Sequence, residues 1–444
     1  MTTVAVAAVA MDQTAFPATT SRFVSLAVAC TLAVLIAALF PISPVRDAVS
    51  LQAVSGVHLD RPLAYIVFAP LSNLLDAITL LSASQHVAAF FGVLGIWAFW
   101  RLARRRVGQA HRGAHFVSLA ILLSAIVTLY AAAMFLPRPM AFLTSADPDT
   151  LRIDFHSHTN ASRDASQSFT AEENRSWHQA GGYDVAFVTN HGVVVEIEPR
   201  RAGVAPGGLT STILLPGIEA NWLWEHVGLL GTESACRAML SSDYRDLVPA
   251  SLAMHVAGPP DGPLVIWNHP RASELEKVAS LGRLPLAGVH AIELSNGAPH
   301  AMDMVRRKRE AIVAFAKDHD LALTSGTDNH GWGHAAPNWT LLRLKHWRAL
   351  SPAELGSRIE REITESGFGV TQVVERTTVD PGMSEVALAL TVLTVPWRML
   401  TTLSAYERMM WILWIWVLPV LARLIRAATN VGGFVGTPTA LSDS

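Results

Sequence analysis

Six side chains that commonly bind metals follow short apolar segments in the middle of the chain. They are His156, His158, His191, His269, Asp328 and His330. Residues i and i+2 of a strand point to the same face, so the first pair and the last pair could each hold one ion. Imidazole and carboxylate ligands without thiolate favour zinc, iron or manganese. Any one of the six could be an ordinary surface or hydrogen-bonded residue, but six at the ends of four strands predict a metal site.

The elements that would position these side chains are strands alternating with helices. Strands are predicted at residues 152–155, 185–189, 264–267, 291–294 and 321–324, bounded by Gly, Pro or Asn. Capping boxes predict one helix from Thr170 to Gly181-Gly182 and another from Ser351 to near Gly367. This alternation predicts an α/β sheet or barrel, in which polar residues at the strand ends share one face.

The composition divides the chain into unlike parts. Of its 444 residues, 51% are hydrophobic and 16% charged, with a mean hydropathy of +0.32, whereas soluble domains have about 25% charged residues. Residues 151–350 nevertheless hold 13 of the 17 histidines. The net charge of −2 provides no basic field for nucleic acid. Two cysteines, Cys30 and Cys236, are too few for a disulfide framework or a thiolate zinc site.

Apolar segments near both ends predict membrane spans. Residues 23–40, 82–100 and 116–137 are each long enough to cross a bilayer, and 409–422 is a shorter fourth candidate. A cleaved signal peptide is the alternative for residues 23–40. Residues 62–81 are expected to be re-entrant or interfacial, and a second span is the alternative there. Five arginines between the second and third spans predict a cytoplasmic loop, which places the segment after Arg138 outside. They are Arg101, Arg104, Arg105, Arg106 and Arg112.

These segments predict six regions. They are an N-terminal tail (1–21), a membrane region of about three spans (22–145), a metal-binding domain (150–350), which the resemblance described below implies is catalytic, a helix and linker (351–382), a C-terminal membrane region (383–428) and a tail (429–444). The expected location is therefore a multi-pass membrane protein, of the bacterial inner or plasma membrane type, with an extracytoplasmic catalytic domain.

Five motifs in the middle region resemble those of the polymerase and histidinol phosphatase (PHP) domain family, in the family's order. They are Asp154-Phe-His-Ser-His-Thr159, Gly182-Tyr-Asp-Val-Ala-Phe-Val-Thr-Asn-His191, Leu215-Pro-Gly-Ile-Glu219, Trp267-Asn-His-Pro270 and Ser325-Gly-Thr-Asp-Asn-His330. The resemblance covers about residues 150–345. It implies a distorted seven-stranded (β/α) barrel with metals at the carboxyl ends of the strands. Transmembrane helices would flank this barrel at both ends.

The resemblance also implies nine ligands for two or three divalent ions of zinc, manganese or iron. The first ion would be held by His156, His158, Glu219 and Asp328. The second would lie between Glu219, His226 and His269. The third would use Asp164, His191 and His330. Glu219 is either this shared ligand or a surface residue, and the Pro-Gly-Ile before it predicts a strand–loop junction. Asn190, where the family has Asp, and Arg163, next to Asp164, leave the third site open.

The activity that the resemblance implies is hydrolysis of a phosphate ester by a metal-activated hydroxide. Asp328 and His269 would be catalytic as metal ligands, and Arg271 is either a phosphate contact or a surface charge. The expected partners are the lipid bilayer and a small phosphorylated substrate, since no basic stripe with stacking aromatics favours nucleic acid. The alternatives are a metal-containing membrane receptor without turnover, a PHP-type nuclease, and a transporter that uses Asp76 and His86. The oligomeric state stays open.

Overall fold

A computed structural model describes residues 17–105, 112–195, 197, 211–222, 225–231, 263–271, 288–382 and 384–432. The chain forms two compact units, one from residues 1–41 and 403–444 and the other from residues 42–402. Twelve helices lie in the described ranges: α1 (Pro17–Ala38), α2 (Leu63–Val67), α3 (Ala69–Thr79), α4 (Ala83–Arg105), α5 (Arg112–Phe135), α6 (Ala171–Gly181), α7 (Pro299–Arg307), α8 (Arg309–Asp318), α9 (Pro352–Ser366), α10 (Glu385–Ala389), α11 (Thr391–Thr401) and α12 (Ala405–Gly432).

Twelve strands accompany these helices within the described ranges. They are β1 (Val45–Asp47), β2 (Val57–Asp60), β3 (Phe142–Ser145), β4 (Thr150–Ser157), β5 (Val185–Val188), β6 (Ile213–Trp222), β7 (Glu225–Leu230), β8 (Leu264–Asn268), β9 (Ala291–Asn296), β10 (Ala322–Gly326), β11 (Asn338–Arg343) and β12 (Thr371–Arg376). Ten of them form one sheet in the order β1-β12-β11-β4-β5-β6-β7-β8-β9-β10, and β2 pairs with β3 separately.

The ten-stranded sheet is mixed and curled. Strands β4, β5 and β6 are parallel, as are β8, β9 and β10, whereas β7 runs antiparallel between the two groups. The curl brings the end of β10 beside the end of β4, because the Asp328 N–H donates to the His156 carbonyl at 2.7 Å and the His158 N–H to the Asn329 carbonyl at 3.1 Å. The fold is therefore a mixed α/β fold with a half-barrel sheet, and the closed seven-stranded barrel stays a prediction.

Apolar side chains on both faces of the sheet explain why its central strands form here. Strands β5, β8, β9 and β10 are buried along their whole length, as expected for strands covered on both faces. Leu355, Ile359 and Ile363 of α9 belong to one buried apolar cluster with side chains of β4, β5 and β6. The capping box of α9 is confirmed, since Ser351 Oγ accepts the Glu354 N–H and Glu354 Oε2 accepts the Ser351 N–H.

The five predicted strands are confirmed as β4, β5, β8, β9 and β10, with bounds that differ by one or two residues. The predicted helix after Thr170 is confirmed as α6, and Thr170 Oγ1 accepts the Glu173 N–H at 3.3 Å. The expected strand–loop junction at Glu219 is wrong. Glu219 lies inside β6, where it pairs with Gly228 of the antiparallel β7, because Pro216 and Gly217 continue the strand instead of ending it.

Two helices are long and apolar enough to span a membrane, Ala83–Arg104 in α4 and His115–Phe135 in α5. They contain most of the predicted spans 82–100 and 116–137. Helices α2 and α3 have 5 and 11 residues, too few for the roughly 20 that a span needs. Helix α1 has a shorter apolar stretch, Phe23–Ala38, and α12 contains the fourth predicted segment. The number of spans and their orientation stay predictions, and Arg106 lies outside the described residues.

Helices α3 and α5 join the sheet within the second unit through the buried Asp76 of α3. Its Oδ1 pairs with Arg138 at 3.0 Å, and its Oδ2 pairs with Arg376 of β12 at 3.3 Å and accepts the Tyr65 hydroxyl at 2.9 Å. This carboxylate is therefore neutralised by two guanidinium groups. Its contacts are those of a structural ion cluster, and the transporter alternative stays untested.

Candidate metal centre

All nine predicted ligands lie in one cluster where the sheet curls. His156 and His158 come from the end of β4, His191 follows β5, and His269 follows β8. Two further ligands, Glu219 and His226, lie within β6 and β7. Asp328 and His330 follow β10, and Asp164 belongs to the loop between β4 and α6. The carboxyl ends of the parallel strands thus meet at one edge, as strand–helix alternation predicts.

The Glu219 carboxylate is the centre of this cluster and is buried. Five imidazoles surround it, with nitrogen–oxygen distances of 2.9 Å for His226, 3.0 Å for His191, 3.2 Å for His156, 3.5 Å for His158 and 3.6 Å for His269. Asn268 Nδ2 also donates to Oε1 at 3.2 Å. Such a carboxylate, with ligand groups on both of its oxygens, has the geometry of a bridging ligand.

His156, His158 and Glu219 offer ligand atoms close enough to hold one metal ion, and Asp328 approaches both imidazoles. His156 Nε2 lies 3.1 Å from His158 Nε2, 3.2 Å from Glu219 Oε1 and 3.5 Å from Asp328 Oδ1. His158 Nε2 lies 3.2 Å from the same Asp328 oxygen. Two atoms bound to one zinc at about 2.05 Å with tetrahedral angles are about 3.3 Å apart. The measured distances therefore match the edges of such a coordination polyhedron.

Several buried polar atoms in the cluster support the same fit. Glu219 Oε2 and His330 Nε2 have no hydrogen bond of good geometry to any described residue. Yet His191 Nδ1 lies 3.0 Å from Glu219 Oε2, and Asp164 Oδ2 lies 3.2 Å from His330 Nε2. Buried polar atoms without partners are costly unless an ion or water satisfies them. Lone pairs that converge without hydrogen bonding are expected where an ion is bound.

Neighbouring acceptors set the orientation of the ligand imidazoles. His330 Nδ1 donates to the Asp328 carbonyl at 2.9 Å, and His158 Nδ1 lies 3.0 Å from Ser162 Oγ. Ser162 Oγ donates in turn to Asn190 Oδ1 at 3.1 Å. A ring whose Nδ1 carries the proton presents the lone pair of Nε2 to a metal. Asn190 Oδ1 thus accepts from Ser162 and also from the Thr159 N–H at 2.8 Å.

The charges of the cluster shift its pKa values in opposite directions. Burial raises the pKa of the Glu219 carboxyl, but His156 and its other imidazole partners outweigh burial and hold it well below its usual value. Burial lowers the pKa of His156, but Glu219 and Asp328 raise it well above its usual value. Burial, with His330 and His156 nearby, lowers the pKa of His158 to about 4. His158 is therefore a neutral imidazole at pH 7, ready to bind a metal.

Two of the ligands have an unusual backbone. Asp328 and His269 have φ values of +50° and +27°, in the left-handed region that side chains other than glycine rarely adopt. A buried network holds the segment before Asp328, because Asp154 accepts the Thr327 N–H and hydroxyl and also lies 2.7 Å from His178 Nε2. Strained residues of this kind concentrate at functional sites.

Sequence reasoning missed Glu293, a buried carboxylate of β9 next to the cluster. Its Oε1 lies 3.4 Å from His156 Nδ1, and its Oε2 accepts the His269 N–H at 2.7 Å. A Cβ on Gly326 would lie 2.2 Å from Glu293 Oε1 and 2.4 Å from His156 Cβ, so only glycine permits this approach. Glu293 therefore contacts two of the predicted ligands, and no spacing in the sequence indicates it.

Arg271 does not contact the cluster ligands in the described contacts. Its N–H donates to Glu225 Oε2 at 3.1 Å, its Nε lies 3.6 Å from Glu225 Oε1, and its side chain is exposed. Glu225 also accepts the Trp267 indole N–H. Glu225 thus points away from its neighbour His226, as adjacent strand residues do, and its carboxylate does not compete with His226 for the metal. The role of Arg271 stays a prediction.

A cleft of about 460 Å³ borders the cluster on one side. Three ligands line its polar end, namely Asp164, Asp328 and His330. Thr327 and Asn329 also belong to this end, whereas Trp332 lines the cleft next to Phe135 of α5. The cleft gives a substrate access to the candidate metal centre from this side.

No protein-family model and no curated protein matches the chain. Among solved structures, PsfC from Pseudomonas syringae PB-5123 matches 56% of this chain and 98% of its own, at 17% identity and a TM-score of 0.35. The lesion-specific endonuclease PfuEndoQ from Pyrococcus furiosus matches 52% of this chain and 60% of its own, at 16% identity and a TM-score of 0.32. Endonuclease Q in complex with a 27-mer duplex with an abasic lesion matches 49% of this chain and 57% of its own, at 15% identity and a TM-score of 0.31. TM-scores at this level do not establish a shared fold or function.

Proposed function

We propose that this chain is a membrane-anchored, metal-dependent phosphoesterase of the PHP type. The observation that carries the proposal is the nine-residue cluster around Glu219, in which ligand atoms converge at 2.9–3.6 Å. Divalent ions bound there would lower the pKa of a water molecule, neutralise phosphate oxygens and align the displacement. The donor set of imidazoles and carboxylates suits zinc, manganese or iron.

The residues of the chain would divide the work as follows. Glu219 would be shared between two ions, because imidazoles approach both of its oxygens. Asp164, Asp328 and His330 would face the substrate, because they line the cleft. In the reaction, the oxygen of water bonds to phosphorus, the bond from phosphorus to the ester oxygen breaks, and a proton from the water passes to the departing alcohol.

The experiment uses full-length protein purified in detergent. We expect the wild type to contain at least two equivalents of metal and to release alcohol from 4-nitrophenyl phosphate. Asp328→Ala should lose metal and activity together, whereas Asp318→Ala, an exposed carboxylate of α8, should behave as wild type. A wild type without metal contradicts the proposal. Metal-loaded protein that binds a phosphate ester without turnover favours the receptor alternative instead.

The membrane location belongs to the same proposal. Apolar side chains of α4 and α5 are exposed in the structure, for example Phe99 at 75% and Phe116 at 77%, so a bilayer would cover surface that water would not favour. Arg104 lies over the Trp100 ring at 4.3 Å near the end of α4, a pairing typical of a membrane interface. The expected extracytoplasmic catalytic domain is tested by reporter fusions after Asp149, where activity of a cytoplasm-only reporter refutes it.

A further inference from the structure

The cleft beside the candidate metal centre changes from polar to apolar along its length. At one end lie Asp164, Asp328 and His330. At the other end the walls come from the last turn of α3, the start of α4 and the last two turns of α5, for example Ile78, Ala133 and Met134. The same opening therefore presents metal ligands to one half of an occupant and hydrocarbon side chains to the other half.

An apolar groove continues the cleft between the helices. It has a volume of about 180 Å³ and is lined by α3, α4, α5 and α11, with Ala77, Ala89, Val93, Leu129 and Val395 among its walls. Ile78 and Tyr130 line both the cleft and the groove, so the two are adjacent. From Ala89 to Val93 the groove follows α4 over about 6 Å. Two of the four helices that line this groove, α4 and α5, are long and apolar enough to span a membrane.

The polar groups in the apolar half are few and mostly paired with one another. His86 Nδ1 lies 3.0 Å from the Tyr130 hydroxyl, and Thr79 Oγ1 donates to the Leu75 carbonyl at 2.9 Å. Trp332 closes one wall edge-on to Phe135, with ring centroids 5.7 Å apart. A soluble sugar or nucleotide would find almost no hydrogen-bonding partners in this half, whereas an alkyl chain would bury its surface there.

The loop that carries the cluster residues is built against these helices. The Gly333 N–H donates to the Met134 carbonyl at 3.1 Å, and the Trp177 indole donates to the Gly333 carbonyl at 3.0 Å. Gly333 has a φ of +82°, and a Cβ there would lie 2.6 Å from Thr79 Cγ2. The close approach of this loop to α3 and α5 thus fixes the apolar half of the cleft next to Asp328 and His330.

We propose that the substrate is an amphiphilic phosphate ester of the bilayer, whose phosphate binds at the metal centre and whose hydrocarbon chain lies in the cleft and groove between α3, α4, α5 and α11. This inference rests on the proposed function and specifies its substrate class. The continuity of the groove with the metal centre selects a lipid-like phosphate over a free one, because only a hydrocarbon chain uses the apolar half. Each methylene buried there should improve kcat/KM about fourfold, the effect of its transfer from water.

The test compares ethyl, butyl, hexyl and octyl phosphate with full-length, metal-loaded protein in detergent. We expect kcat/KM to rise with chain length in the wild type. Ala77→Phe and Ala89→Phe place a large ring in the groove and should lower the octyl-to-ethyl ratio by about tenfold or more. Ala103→Phe makes the same change at an exposed position of α4 and should keep the wild-type ratio. Because all variants share one detergent, partition of the substrate into micelles does not affect the comparison.

Three outcomes decide the inference. A ratio near one in the wild type, or an unchanged ratio in both groove variants, overturns the lipid-like substrate and leaves the phosphoesterase proposal standing. Absence of turnover at every chain length overturns the phosphoesterase proposal. In that case the binding of ethyl- and octylphosphonate, measured by calorimetry, decides whether the groove is a site for a hydrocarbon chain. Tighter binding of octylphosphonate that is lost in Ala89→Phe supports the groove as a chain site, and equal binding of the two phosphonates refutes it.

Discussion

Replacement of Glu293 by glutamine tests how the fold orients its first metal ligand. Glu293 Oε1 lies 3.4 Å from His156 Nδ1, while Oε2 accepts the His269 N–H at 2.7 Å and Asn296 Nδ2 at 3.0 Å. Glutamine has only one side-chain oxygen, so its NH₂ group must face either His156 Nδ1 or the His269 N–H, where the wild type has a carboxylate oxygen. The variant therefore removes the negative charge that lies 3.4 Å from His156 Nδ1, whichever way the amide turns. We expect metal affinity to fall roughly 10- to 100-fold, the usual effect of removing a partner of a ligand histidine.

The assay titrates zinc into metal-depleted, full-length protein in competition with a chelating dye. Glu310→Gln makes the same chemical change at an exposed position of α8 and should bind zinc as the wild type does. Thermal unfolding of the metal-depleted variants separates a loss of affinity from a loss of folding.

A double-mutant cycle with His156→Ala shows whether Glu293 acts through the imidazole. If it does, Glu293→Gln should change metal affinity little once His156 is absent. An equal loss in both backgrounds would refute that route, and wild-type affinity in Glu293→Gln alone would refute the orientation argument altogether.

Four further predictions follow from the same contacts. Burial lowers the pKa of His156, but Glu219 and Asp328 raise it well above 6.5, and the hydrogen bond to Glu219 raises the pKa of His191. A metal ion must displace the protons on these two rings. The affinity for metal should therefore fall about tenfold per pH unit, for each of the two imidazoles, as the pH drops below the pKa of that imidazole. Gly326→Ala should lower both metal affinity and melting temperature, because its Cβ meets Glu293 and His156; melting equal to wild type would contradict this. Asp76→Asn should cost about 3–5 kcal/mol of unfolding free energy in denaturant titrations, because it leaves Arg138 and Arg376 buried without their counter-charge. If Arg271 contacts phosphate, Arg271→Ala should raise KM for a phosphate ester without changing the metal content. An unchanged KM would indicate that Arg271 only pairs with Glu225.

The sequence predicted the strands that are buried on both faces and the side chains at their ends. Strands such as β5 and β9 are continuous apolar segments, and a ligand-type residue directly after such a segment lies at the edge of the sheet whatever the rest of the fold does. The N-caps at Thr170 and Ser351 were equally local, because each side-chain oxygen accepts a backbone N–H only three residues away.

Features that depend on distant parts of the chain could not be predicted in this way. Strand β1 pairs with β12, more than 300 residues away, and no local pattern specifies that pairing. Glu293 lies inside an apolar strand, and only the curl that brings β9 toward β4 gives it a role at His156. The position of Glu219 was misjudged for a related reason, since Pro216 and Gly217 usually end strands but here lie in a strand that β7 continues to pair with.

The helices that favour a membrane also belong to the unit that holds the candidate metal centre. Asp76 of α3 pairs with Arg376 of the sheet, and Gly333, three residues after His330, bonds to the end of α5. A hydrolase domain that was merely tethered would need neither contact, because a flexible linker to the bilayer would suffice. Since α3 and α5 instead form one wall of the cleft onto Asp328, the same residues that fix the sheet to the helices also shape the access to the candidate metal centre.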